Sequence, residues 1–421
     1  VSLPSDTVHP ISRRQVLRAG AALGLAVVFG HGDAPAAPAP ATRPLSPVNP
    51  ALARDWLARW EKYILSSARQ RYCDKEMGEE LGWLVSPFLG GFYYGYHATQ
   101  DNKWVDMLLD WADAVIRRSV KEPDGFLGWP KADGASTRVM AGLFTDNILG
   151  EAMALRPMVL MANAILKTPA LKAKHGTKAE ECLALAGKTF EKWDSRACWR
   201  ETKAGGVWVV PPFGIDQKTG QWTEGYQRRR TDGFTLPANK QNAVALWLLA
   251  MADVTGKLIY RQRAEKWFAE MKSRLRLREG RFLVWNYWDP AGPWDYKPDG
   301  QPRHWVGVHP NGGYYGIDVE GMVAAFEHGL VFDQRDIDRL IATNRDYMWD
   351  QQVQGAKFQR IDGGKPDDRW KNSPGVLWTA LVNHDPKLRQ VFEANHKPDS
   401  WGGLATTPRY VASEQRDGGG C

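Results

Sequence analysis

The stretch Leu236–Pro290 reads LPANKQNAVALWLLAMADVTGKLIYRQRAEKWFAEMKSRLRLREGRFLVWNYWDP. Val244, Trp247, Leu248 and Met251 recur at i, i+3, i+4 and i+7, and Ala264, Trp267, Phe268, Met271 and Leu275 repeat that spacing one segment later. This periodicity predicts two amphipathic helices. Between them, Val254-Thr255-Gly256-Lys257 carries the glycine that a helix end uses to turn left-handed, so the second helix returns antiparallel to the first. Behind Gly280 the run Arg281–Trp288 is dense in aromatic and β-branched residues and reads as a short strand. The unit is helix, turn, helix, strand.

The same unit recurs on both sides. A helix at Leu52–Ser67 carries Trp56, Trp60, Tyr63 and Ile64 on one face. Trp83–Thr99 and a helix marked by Trp104, Leu108, Trp111, Ala112 and Val115 form a pair closed by the strand-like loop Gly125–Pro130. Asp146–Leu166 and Lys178–Trp193 form the next pair, the latter opened by a capping box at Thr177 and Glu180, with Val207–Val210 as its strand. Downstream, Tyr314–His328 and Asp336–Asp350 are followed by a strand at Lys357–Ile361, and a shorter pair, Gly375–Asn383 and Pro386–Glu393, ends the fold. Hairpins spaced by about 60 to 90 residues are too far apart for the ~34-residue helical solenoids. The expectation is a mainly α chain, an (α/α) toroid of about five to six helical hairpins with short strand-like loops. In such a ring the first helix of each hairpin lies inside, the second packs outside, and loops at one end form a cleft.

The 421 residues are 43% hydrophobic and 24% charged with a mean hydropathy of −0.45, which suits a globular protein with a large core. Ser12-Arg13-Arg14-Gln15-Val16-Leu17-Arg18 resembles a twin-arginine export motif, with an apolar run Ala19–Phe29 and small residues from Ala34 to Ala41 behind it. That run falls far short of the ~20 residues that span a bilayer. Residues 1–41 are therefore expected to be a twin-arginine export signal, 42–412 the toroid and 413–421 a disordered tail, in a periplasmic or secreted protein with no membrane span once the signal is removed. Of the four cysteines, Cys182 with Cys198 is the preferred bond if one forms. Removing residues 1–41 takes away three arginines and two aspartates, so the net charge of +7 falls only to +6. A basic exported protein suits an acidic partner. No nucleic-acid-binding signature is present, and an anionic polysaccharide fits better, although solubility alone would also account for the charge. The 20 tryptophans, roughly three to four times ordinary usage, serve a core or the stacking faces of a sugar cleft.

Asn239-Lys240-Gln241-Asn242 opening a helix, the turn Val254-Thr255-Gly256, the strand Trp285-Asn286-Tyr287-Trp288, Asp318-Val319-Glu320 and Glu327-His328-Gly329 together resemble the six-hairpin (α/α) toroid proteins. That group includes polysaccharide lyases, uronyl C5-epimerase-like proteins and glycoside hydrolases. The resemblance spans about Leu236 to Trp349 and implies a fold more than a reaction. The chain departs from the pattern at His309-Pro310-Asn311-Gly312-Gly313-Tyr314-Tyr315, where related toroids carry an acidic-plus-His stretch.

Breaking a uronic-acid chain by β-elimination requires neutralisation of the C5 carboxylate, a base for the C5 proton and an acid for the leaving O4. Asn239, Gln241 and Asn242, at a helix N-terminus whose amides favour anions, are candidates for the first role, and capping explains Asn239 equally well. His309, in a glycine-flanked loop, is the preferred base, and Tyr314 or Tyr315 supplies the acid or a base pair for epimerisation. Arg228 and Arg229 are candidate carboxylate clamps, and Trp285 and Trp288 candidate stacking residues. The hydrolase alternative needs two carboxyl groups. Asp318 and Glu320 point about 200° apart on a helix, so Asp146 with Asp318 is the better pair. A non-catalytic glycan-binding protein is the third reading. The nine histidines form no metal-binding grouping, and no cofactor motif is present.

Overall fold

The computed structural model describes residues 49–132, 144–210, 214–216, 219, 221–222, 233–364 and 375–417. Among them are eleven α-helices. In chain order they are α1 (Pro50–Ser67), α2 (Ser86–Thr99), α3 (Lys103–Arg117), α4 (Ile148–Lys167), α5 (Pro169–Ser195), α6 (Ala238–Thr255), α7 (Leu258–Arg274), α8 (Gly313–Glu327), α9 (Gln334–Ala342), α10 (Pro386–Asn395) and α11 (Gly403–Asp417).

These helices close into the (α/α) toroid that the hairpin pattern predicts. The inner ring runs α2, α4, α6, α8, a single 3₁₀ turn at Thr379–Leu381, and α11, which packs back against α2. Outer partners are α3, α5, α7, α9, α10 and α1. The sixth hairpin is thus made from the first helix and the last. At that closure the Trp60 indole donates to the Leu404 carbonyl at 2.8 Å. Gly91 of α2 lies so close to Leu404 that a Cβ would stand 2.7 Å from that same carbonyl oxygen. Only glycine lets the two helices approach this far.

Neighbouring inner helices run parallel. Gly90 and then Ala98 of α2 meet Ala405 and then Ala412 of α11, and Asn242 early in α6 bonds Asp318 early in α8. Their N-termini therefore gather at one end, where antiparallel ribbons lead into them. β1 (Val120–Lys121) pairs with β2 (Leu127–Gly128), and β3 (Lys131–Ala132) pairs with β4 (Phe144–Thr145) just before α4. β5 (Trp199–Glu201), β6 (Gly206–Val210) and β7 (Phe234–Thr235) form a three-stranded sheet just before α6.

Several elements differ from the expectation for identifiable reasons. Helix α6 is not amphipathic, because every residue from Ala238 to Met251 is buried between α4, α7 and α8. Helix α5 begins at Pro169 in the first helical position, which leaves Thr177 inside the helix and removes the expected capping box. A capping box does open α9, formed by Asp333 and Asp336. Only Phe282–Val284 of the expected strand Arg281–Trp288 pairs in a ribbon, with Arg276–Arg278, and Lys357–Ile361 contributes one isolated bridge, Phe358 to Trp349. Of Gly375–Asn383 only the 3₁₀ turn is helical. Ser413, read as the start of a disordered tail, lies inside α11. Cys73, Cys182 and Cys198 are free thiols in buried positions, so the Cys182–Cys198 bond is absent. Helix α4 is long and apolar enough to cross a membrane, but 72% of that window is buried inside the ring. The expected export signal at residues 1–41 lies outside the described residues.

Candidate functional site

At the mouth, where the inner helices begin, polar groups from four hairpins meet. Glu79 precedes α2 and is buried. It accepts hydrogen bonds from the Trp83 indole at 3.0 Å, the Asn147 amide at 3.1 Å and the Lys240 ammonium at 2.7 Å. Asn147 also caps α4 through the Leu149 amide, and Lys240 lies in the first turn of α6, so one carboxylate ties three inner helices together. Asn239, next to Lys240, is 1% exposed, and both polar atoms of its amide lack a hydrogen-bond partner. A buried amide left unsatisfied costs roughly 1–3 kcal/mol, and such a group in a native protein calls for an explanation.

An aromatic wall stands over this cluster. The Ala238 amide donates to the Tyr287 carbonyl at 3.0 Å, which fixes Tyr287 beside Asn239. The Tyr287 ring stacks on Tyr314 at 5.5 Å and lies 4.7 Å from His309, while His309 and Tyr314 are 4.8 Å apart. Tyr314 in turn meets Trp83 at 6.3 Å. Trp305, 48% exposed, extends the wall outward at 6.2 Å from His309.

The environment sets the protonation of these groups. Burial, with Glu79 nearby, raises Tyr314 above the ordinary phenol range, and burial raises Tyr287 likewise, so both hydroxyls keep their protons at neutral pH. Burial and then the neighbouring His304 and Arg360 lower His309 to about 4. His309 is therefore a neutral imidazole at working pH. Its Nδ1 accepts the Asn311 amide hydrogen at 2.9 Å, which leaves the ring proton on Nε2 and makes His309 a donor there. That corrects the expectation of His309 as the base.

The mouth unites His309, Tyr314 and Asn239, whereas the other sequence candidates turn inward. The Tyr315 hydroxyl accepts the His309 amide at 2.8 Å and is buried, so it braces the His309 loop. Gln241 exchanges hydrogen bonds with the Trp208 backbone at 2.9 and 2.8 Å and is fully buried, which holds β6 to α6. Asn242 donates to Asp318 at 2.8 Å and accepts from the Trp267 indole at 2.9 Å. Asp318 takes a second bond from the Trp285 indole at 2.8 Å, and burial pushes its carboxyl up to about 7. Trp285 and Trp288 are both at 0% exposure and stack on core rings rather than on a cleft. Arg228 and Arg229 lie outside the described residues.

Asp146 is the sharpest correction among the acids. It sits in a sealed network with Glu122, Glu151, Lys192 and Arg196, bonded to Lys192 and, at 3.3 Å, to Arg196. Burial alone would raise its pKa, but the two cations outweigh burial and hold it well below the carboxylate range. Burial pushes Glu122 and Glu151 up to about 8. Lys192 and Arg196 thus sit among three buried carboxyl groups, and Arg196 also bonds Asp124 at 2.8 Å. No oxygen of Asp146 is available to a substrate. Deeper in the ring, Glu320 accepts from Arg156 at 2.9 Å and Arg409 at 2.8 Å, clamping α4, α8 and α11 across the lumen.

Sequence reasoning missed Glu79, Trp83, Lys240 as an ion-pair member, and Tyr287. One signal was legible: Glu79 and Trp83 stand four apart, one helical turn, in a segment whose Leu81–Val85 winds as a π-turn, a geometry that recurs at functional sites. Among the described residues no three His, Cys, Asp or Glu side chains converge to hold a metal ion.

No family model matches the sequence, and no curated protein matches it. Solved structures do. An inactive variant of an α-1,6-mannanase of Salegentibacter sp., in complex with α-1,6-mannotetrose, is similar at 11% identity over 86% of this chain and 97% of that one, with a TM-score of 0.45. The cellobiose 2-epimerase of Bacillus thermoamylovorans is similar at 9% identity over 85% and 86%, with a TM-score of 0.49. An unsaturated glucuronyl hydrolase from Streptococcus agalactiae is similar at 12% identity over 88% and 81%, with a TM-score of 0.43.

Proposed function

We propose that this chain is a carbohydrate-active enzyme that cleaves an acidic polysaccharide by β-elimination at the mouth of the ring, after export by the twin-arginine route. The observation that carries the reading is Asn239, a buried amide with neither polar atom bonded, next to a neutral His309 and two protonated tyrosines. In this reading the C5 carboxylate of a uronate accepts from the His309 Nε2–H and, once substrate displaces the side chains that cover it, from the Asn239 amide, 1% exposed without substrate, which withdraws charge as C5 loses its proton. Glu79 takes that proton on Oε1, the oxygen that accepts from the Trp83 indole, while Oε2 keeps its bonds to Asn147 and Lys240. The C5–H electron pair becomes the C4–C5 double bond, the C4–O4 bond breaks, and O4 takes the Tyr314 phenol proton. Glu79 then ends protonated and Tyr314 ionised, and transfer of the proton between these neighbours restores both. Hydrolysis would need a second carboxyl group facing the substrate beside Glu79, and Asp146 and Asp318, each 2% exposed, are bonded to partners inside the ring.

The test is incubation with alginate, pectate and glycosaminoglycans while following the ultraviolet absorbance of the unsaturated product. Tyr314→Phe should lower turnover by roughly 10²–10⁴-fold with little loss of binding, the range expected for removing a general acid. His309→Ala should do the same through loss of carboxylate neutralisation. Shortened polymer without the chromophore would replace elimination by hydrolysis, and intact polymer with tight binding would make the protein a glycan binder.

A further inference from the structure

At the same end of the ring, but outside the mouth, Tyr63, Ser66, Ser67, Gln70, Tyr72 and Trp401 line an open depression of about 400 Å³. We propose that it is a second saccharide site, which takes the uncharged face of a pyranose ring from a glycan chain. It belongs to the sixth hairpin, with the end of α1 on one side and the residues just before α11 on the other. Trp401 is the platform. Its indole packs nearly perpendicular to Tyr72 at 5.9 Å and Phe88 at 5.6 Å, which fixes its orientation, yet it remains 41% exposed. A large indole held rigid and left open costs stability in solvent that a stacking ligand would recover.

The rest of the lining matches sugar chemistry. Two serine hydroxyls, the Gln70 amide and two phenols surround the platform, so donors and acceptors ring an apolar face. The Ser66 hydroxyl donates to the Tyr63 carbonyl at 2.8 Å, which leaves its lone pairs as acceptors. No lysine or arginine is among the lining residues, which favours a neutral ring face over a bound anion. Trp83, which faces Tyr314 in the mouth, and Phe88, which backs Trp401, stand five residues apart along the same segment. Trp83 lies in the π-turn before α2 and Phe88 in α2 itself, and the two rings face different neighbours, Tyr314 and Trp401, so the mouth and this depression have separate walls. A chain long enough to reach both would bind with the gain of a linked second contact.

The inference rests on the glycan reading of the mouth for the polymer, not for the chemistry of the depression, and the experiment separates the two. The full chain labelled with 5-fluorotryptophan is titrated with oligosaccharides of mannan, cellulose, alginate and pectate, with Trp401→Phe identifying the resonance. A shift of the Trp401 signal is expected with at least one series, with or without product formation. Trp401→Ala and, independently, Gln70→Ala should weaken binding of long oligosaccharides by roughly 2- to 10-fold, the range of one aromatic contact, and leave turnover of short ones unchanged. A Trp401 resonance unmoved by all four series, or long-chain binding equal to wild type in both variants, overturns the site. Chromophore formation without a Trp401 shift would leave the mouth reading standing and remove this one; a Trp401 shift without any turnover would do the reverse.

Discussion

Asp318→Asn isolates what burial does at the base of the mouth. The Asp318 carboxyl is 2% exposed and accepts from Asn242 and Trp285, and burial moves it from an ordinary 3.8 to about 7. Its pKa is raised in the folded state, so its contribution to stability is fully present below pH 3.8 and is lost as pH rises through about 7. Between pH 5 and 7 the unfolded carboxyl is ionised and the folded one is not, which removes ~1.4 kcal/mol of stability per pH unit, or about 3 kcal/mol over that interval. An asparagine cannot ionise and loses nothing there. It offers one acceptor oxygen to two donors, however, so near pH 4 the variant should be less stable by about 1–3 kcal/mol. By pH 8 the two proteins should have converged or crossed. Glu122 and Glu151, both at about 8, tilt the two proteins alike, so the difference between them reports Asp318 alone. Urea unfolding at pH 4, 5, 6, 7 and 8 measures it. A wild-type minus variant difference that stays constant from pH 5 to 8 would refute the assignment of Asp318 as a buried neutral strut.

Two further outcomes follow from the mouth. Lys240→Met leaves Glu79 buried without its ammonium and should cost about 3–5 kcal/mol in urea unfolding, whereas adding Glu79→Gln should recover much of that loss; losses that simply add would show the pair to be uncoupled. Because burial holds His309 at about 4, kcat/KM should show no limb attributable to it between pH 5 and 8, and a limb at an ordinary 6.5 that disappears in His309→Ala would contradict a neutral donor at the mouth.

The hairpins of this chain were legible because their outer helices are half exposed. Trp104, Leu108, Trp111, Ala112 and Val115 mark α3 at helical spacing, and all five are buried on one face. Gly256 at φ +67° ends α6 where the sequence asked for a left-handed residue. Helix α11 was not legible, since Gly402, Gly403, Thr406, Thr407 and Pro408 weaken its local preference for helix, and it forms because α2 and α1 cover it. The closing hairpin joins residues about 340 apart in sequence, as Arg59 to Asp399 and Trp60 to Leu404 record, and no local pattern carries that information. Polar candidates divided for the same reason. Residue type selected Asn239, Gln241, Asn242, Asp146 and Asp318 alike, because an amide or carboxylate near a helix start looks the same whether it faces a substrate or another helix. Which partners arrive from distant hairpins was fixed only when the ring closed: Trp208 reached Gln241, Lys192 and Arg196 reached Asp146, and Asn239 remained unpaired. Periodicity along one segment sets which face turns inward, but the chemistry at the mouth depends on side chains from several segments, and their meeting is a property of the closed ring.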